Sequence, residues 1–210
     1  MKASRFLFIA AGVVFYVFQG KAQADTIFLA NPSFEMRIAR HSITPDGWVN
    51  IGPEGESEPD VQPGSFGCQT PAQHGDTYLG MVARDNNTWE GVGQRLSSNL
   101  LKDSTYTFSV FLAQSPEYTS LSRVSGEKAL YVSPLILVVW GVNAKHGTEE
   151  LLAQTEAVTH KNWLEYRFEL QPGKDDFDEI NLVAYYAPGL EKRNGNLLVD
   201  NCSPIIRKKK

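Results

Sequence analysis

The chain has 210 residues, of which 42% are hydrophobic, 21% charged and 11% aromatic. This globular mixture excludes a disordered tail, a collagen-like rod and a small disulfide-stapled scaffold. The formal net charge is −4, yet Lys2, Arg5 and Lys21 sit in the first stretch and Arg207, Lys208, Lys209 and Lys210 close the chain. The body between them is therefore more acidic still and repels phosphate backbones, which sets nucleic acid aside as a partner.

In chain order, Lys2 and Arg5 precede a continuous apolar run over residues 6–18. That run falls short of the roughly 20 residues a membrane-spanning helix needs, but it matches the apolar segment of a secretory signal. Ala22-Gln23-Ala24 supplies the small-x-small cleavage pattern, with Asp25 as the new N-terminus. Residues 1–24 thus read as a signal peptide, 25–206 as one domain and 207–210 as a solvated basic tail. The protein is expected in the periplasm, at the cell surface or in the medium, with no integral membrane segment in the mature chain. The residue directly after Ala24 is Asp25 and not a cysteine, so lipid anchoring is not indicated. An oxidising compartment permits Cys68 and Cys202 to pair, with two unpaired thiols as the alternative. His41, His74, His146 and His160 show no metal-ligand spacing.

Short β-like runs separated by turns then follow to the end. Residues 77–83 form a first run, 84–87 a polar turn and 88–96 a second run. In 106–113, Tyr106, Phe108, Val110 and Leu112 alternate with their neighbours, the period of a strand with one face in a core. Residues 135–142 are apolar on both parities and read as a central strand buried on both faces. Runs at 150–156, 164–170, 180–187 and 197–203 complete the set. Residues 97–102 or 118–124 allow one short helical turn, and 42–73 reads as a long irregular excursion anchored by Trp48. The pattern predicts an all-β antiparallel sandwich.

Asn31-Pro32-Ser33-Phe34-Glu35 opens the domain, Pro45-Asp46-Gly47-Trp48 follows, and Leu197-Leu198-Val199-Asp200-Asn201 lies near its end. Between them come Gly75-Asp76-Thr77-Tyr78-Leu79-Gly80, residues 89–96 beginning at Trp89, and Thr105-Tyr106-Thr107-Phe108. In order and spacing these motifs resemble the galactose-binding-like jelly-roll carbohydrate-binding modules, including versions in exported Bacteroidetes-type surface proteins. The resemblance implies that the first and last strands lie side by side. It also implies a structural calcium at that seam, with Glu35 and Asp200 as carboxylate ligands and Asp76 as a third contributor.

A sugar site combines an aromatic face for the C–H side of the ring with polar groups for the hydroxyls. The turn 84–90 holds the richest mixture: Arg84, Asn86, Trp89 and Glu90. Trp140 and Tyr185 are further candidates, with Tyr118 and Arg123 behind them. Tyr185 and Tyr186 must point to opposite faces, whereas Tyr106, Phe108, Tyr166 and Phe168 follow strand parity into the core. Asn86 and Asn201 each begin an N-x-S/T sequon. No nucleophile elbow, zinc motif, P-loop or dinucleotide fingerprint occurs, so the expectation is a non-catalytic carbohydrate binder with cell-envelope association. The alternative is a structural or adhesive surface module without a sugar pocket.

Overall fold

The computed structural model describes residues 25–209; the leader expected at 1–24 lies outside them. Fourteen strands follow one another: β1 (Thr26–Ile27), β2 (Val49–Asn50), β3 (Asp60–Gln62), β4 (Tyr78–Ala83), β5 (Gly91–Leu100), β6 (Tyr106–Gln114) and β7 (Thr119–Leu121). The second half holds β8 (Lys128–Leu130), β9 (Leu135–Asn143), β10 (Thr148–Gln154), β11 (Leu164–Leu170), β12 (Phe177–Tyr186), β13 (Gly195–Asp200) and β14 (Ile205–Arg207). The described residues contain no α-helix, only a 3-10 turn at Ser65–Gly67.

One sheet runs β1-β14-β6-β13-β4-β3, with β11 also paired to β6. The other runs β10-β9-β12-β5-β2, and β7 and β8 form a separate hairpin. Every pairing is antiparallel. The core lies between the two sheets, where one parity of each central strand converges: Leu79 and Met81, Phe108 and Val110, Leu137 and Val139, Leu182 and Ala184. The expected sandwich is therefore observed. Thr26 faces Ile206 and Ile27 faces Ile205, so the two ends of the domain are neighbouring strands.

Three expectations change. The run 97–102 is not helical, because β5 continues to Leu100, which pairs with Phe177. The run 118–124 forms β7, turning at Gly126 (φ +74°) into β8. The excursion 42–73 is not wholly irregular, since it lends β2 to one sheet and β3 to the other. Its anchor Trp48 is buried, with its ring 5.1 Å from Phe34 and its indole N–H donating to the Asn31 carbonyl.

Of the two alternatives for the cysteines, the structure shows the unpaired thiols. Cys68 and Cys202 are free and buried on opposite sides of the larger sheet. Cys202 packs in the central core, while Cys68 lies on the outer face beside the Tyr78 and Ser115 hydroxyls. A sheet between two thiols prevents the approach a disulfide requires.

Candidate binding groove

The outer face of the five-stranded sheet carries a groove of about 650 Å³. Alternation builds it: while Ile180, Leu182, Ala184 and Tyr186 of β12 point into the core, Glu179, Asn181, Val183 and Tyr185 point out. The same parity on β9 presents Ile136, Val138, Trp140 and Val142, and β10 adds Glu149, Leu151 and Gln154.

Strand register orders these groups into rows. Leu151, Trp140, Asn181 and Gly93 stand abreast across four strands. Glu149, Val142 and Glu179 form the row on one side, and Val138, Val183 and Gly91 the row on the other. Beyond that row Tyr185 pairs with Ile136, and continuing the β5 register places Trp89 beside Tyr185. The groove thus runs from an aromatic end at Trp89 and Tyr185, past Trp140, to a carboxylate end. Tyr185 lies four residue steps along β12 from Asn181 in the Trp140 row, about 13 Å along the strand. Trp89 and Trp140 are half-buried and Tyr185 is 40% exposed.

Glycines keep the floor low. A Cβ on Gly93 would stand 2.4 Å from the Asn181 Oδ1 atom, and one on Gly91 would meet the Leu182 carbonyl at 2.9 Å. Ile51, from the segment after β2, lies over both glycines. The Asn181 Oδ1 atom is buried without a hydrogen-bond partner, an uncompensated acceptor in the middle of the groove.

Three of the six predicted ligand residues, Trp89, Trp140 and Tyr185, therefore come together. The others do not. Asn86 is exposed away from the groove, its amide donating to Glu56 at 2.7 Å. Arg84 and Glu90 are each 2% exposed and form an ion pair with one another. The Glu90 Oε2 atom also accepts the Val82 N–H, and the Arg84 Nη2 atom donates to the Ser57 hydroxyl. Burial pushes the Glu90 carboxyl up to about 8 against the pull of Arg84, with Asp60 adding to the rise. These two side chains fasten the turn to the sheet, a correction to their expected display on a loop. Glu149, Leu151, Gln154, Glu179 and Asn181 escaped sequence reading, although Glu179, Asn181 and Tyr185 share one parity of a central strand.

At the seam between the chain ends, one loop bridges the two expected metal ligands. Glu35 accepts the Asp76 and Thr77 amides at 3.2 Å each, and Asp200 accepts those of Gln73 and His74 at 2.8 and 2.9 Å. Asp76 is exposed and joins the seam through its backbone N–H. Burial pushes Asp200 up to about 6, with a further rise from the Glu35 charge. Among the described residues, no group of three or more His, Cys, Asp or Glu side chains is gathered for a metal.

No protein-family profile and no curated protein matches this sequence. Among solved structures, the CBM22-1 xylan-binding domain of Paenibacillus barcinonensis Xyn10C superposes with a TM-score of 0.51 at 19% identity, over 90% of this chain and 99% of that one. The fold is the galactose-binding-like jelly roll. The same architecture serves other chemistry. The Stig cyclase Fisc of Fischerella sp. TAU aligns with a TM-score of 0.53 at 14% identity, over 87% of this chain and 97% of that one. At these identities the likeness is one of fold, and function must be argued from the site.

Proposed function

We propose that this protein is a non-catalytic module that binds a carbohydrate chain along the groove of its five-stranded sheet. The observation that carries this reading is the convergence of Trp89, Trp140 and Tyr185 with the amides of Asn181 and Gln154 on one sheet face. Aromatic faces take the C–H side of sugar rings, and planar amides re-bond hydroxyls that lose water. Because the aromatic rows stand about 13 Å apart, more than a single ring is needed to reach both. The ligand class is therefore an oligosaccharide or polysaccharide. The groove lining includes no Ser, Cys, Lys or His; its two acids, Glu149 and Glu179, stand on strands either side of Val142. The fold shared with a xylan-binding domain is consistent with this reading.

Affinity electrophoresis against a panel of plant and microbial polysaccharides tests it. Trp140→Ala and Tyr185→Ala should each weaken the ligand found at least tenfold, about 1.4 kcal/mol, with an unchanged circular-dichroism spectrum. A panel without a ligand would favour the adhesive alternative.

Export and cell-envelope association belong to the same proposal, since residues 1–24 carry the pattern of a cleaved leader. N-terminal sequencing of the secreted protein should begin at Asp25. Calcium at the chain-end seam is also proposed. Glu35 and Asp200 would hold it, and its charge would relieve the repulsion between them, with the carboxylates exchanging peptide N–H partners for the ion. An unchanged melting temperature in excess chelator argues against the metal.

A further inference from the structure

A second pocket, of about 260 Å³, opens on the opposite side of the molecule. It lies on the outer face of the seven-stranded sheet at Val82, beneath the 42–66 excursion and beside the β7–β8 hairpin. His41 is exposed and Phe66 is 36% exposed, while Asp60, Arg84 and Tyr118 are buried in its wall. The rings of Phe66 and Tyr118 lie 4.9 Å apart and give the pocket an apolar side.

The polar side is incompletely paired. Arg84 is matched in charge by Glu90, and Arg123 by Glu56 at 3.0 Å. Asp60 makes no ion pair; it accepts the Tyr118 hydroxyl at 2.7 Å and the Ser42 N–H at 2.9 Å. The Arg84 Nη1 atom, on a side chain 2% exposed, donates to nothing. A buried guanidinium nitrogen without an acceptor costs free energy that a bound group can recover.

The charges decide what that group can be. An anion would satisfy the Nη1 atom but would face the Asp60 carboxylate. A cation would face Arg84. A hydroxyl is neutral and both accepts and donates, so neighbouring hydroxyls can accept from Arg84 and donate to Asp60. The ring that carries them presents C–H groups to Phe66 and Tyr118. Pockets for drug-sized ligands run roughly 300–1,000 Å³, so this one suits a single sugar ring. We propose that this pocket is a second saccharide site, receiving one terminal sugar residue by a vicinal diol between Arg84 and Asp60. This assignment does not depend on the groove.

The test is an NMR titration of the full chain with a panel of methyl glycosides of common hexoses and pentoses. The side-chain resonances of Arg84 are followed in the parent protein, in Phe66→Ala at the pocket mouth and in Trp140→Ala in the groove. At least one glycoside should shift Arg84. Phe66→Ala should weaken that binding at least tenfold, and Trp140→Ala should leave it unchanged. Asp60→Asn, of nearly equal shape, should also weaken it, and Phe66→Ala keeps the test valid if Asp60→Asn fails to fold. No shift with any glycoside, or a shift lost in Trp140→Ala and kept in Phe66→Ala, overturns the proposal. A crystal soaked in the best glycoside that shows only water at the Nη1 atom overturns it too.

Discussion

Replacing Arg84 by methionine keeps much of the side-chain volume and removes its charge. The Glu90 carboxyl would then be left buried, with the Val82 N–H and the Ser57 hydroxyl as its partners. Above about pH 8, where Glu90 is ionised beside Arg84, breaking the buried pair from one side costs about 3–5 kcal/mol. For a domain of this size each kcal/mol moves the melting temperature by about 2–4 °C, so a drop of about 6–20 °C is expected. Without Arg84, Glu90 must stay protonated, and holding that proton becomes more costly as pH rises. The deficit should therefore be larger at pH 8.5 than at pH 5. Arg84→Met with Glu90→Gln keeps an acceptor for Val82 and leaves no lone buried charge. Urea denaturation should show it recovering about 2 kcal/mol of the single-variant loss. A single-variant cost below about 1 kcal/mol, or strict additivity, would refute the buried pair and return Arg84 to the surface role read from sequence.

A Cβ at Gly75 would fall 1.8 Å from the Glu35 carboxylate, on a backbone with φ +68°. Gly75→Ala should therefore cost about 1–3 kcal/mol in chemical denaturation. Burial raises the carboxyl pKa values of Asp60 and Glu90, the latter to about 8. A raised folded pKa gives stability that is full below the unfolded value and lost as pH climbs through the folded one. Thermal melts should accordingly fall between pH 5 and pH 8.5, by at most about 1.4 kcal/mol per pH unit for one such group. Both thiols should react with a thiol reagent after denaturation without reductant, and dithiothreitol should leave the melting temperature unchanged.

The sandwich was legible because its central strands carry their burial in their alternation. β6 alternates and β9 is apolar on both parities, patterns that need no partner to interpret. Trp140 could be singled out because it stands in such a strand. The turn 84–90 misled because polarity and a turn together mimic exposure. Arg84 is buried by Ser57 and Glu56 of the distant excursion, and sequence spacing carries no sign of that pairing. The hairpin β7–β8 was missed since three-residue strands hold too little pattern to separate from one helical turn. Glu149 and Gln154 were missed for another reason: their strand β10 lies at a sheet edge, where polar residues also read as plain solvent-facing positions.

The side-by-side pairing of β1 with β14 has a practical corollary for engineering. Joining Asp25 to the residues after Arg207 by a short linker should permit circular permutation, with new ends cut at the exposed tip near Gly126. Because β1 and β14 both belong to the seven-stranded sheet, a cargo fused beside either one is attached to the sheet that does not carry the aromatic trough. Such a protein could be tethered by its ends while Trp140 still meets a polymer surface.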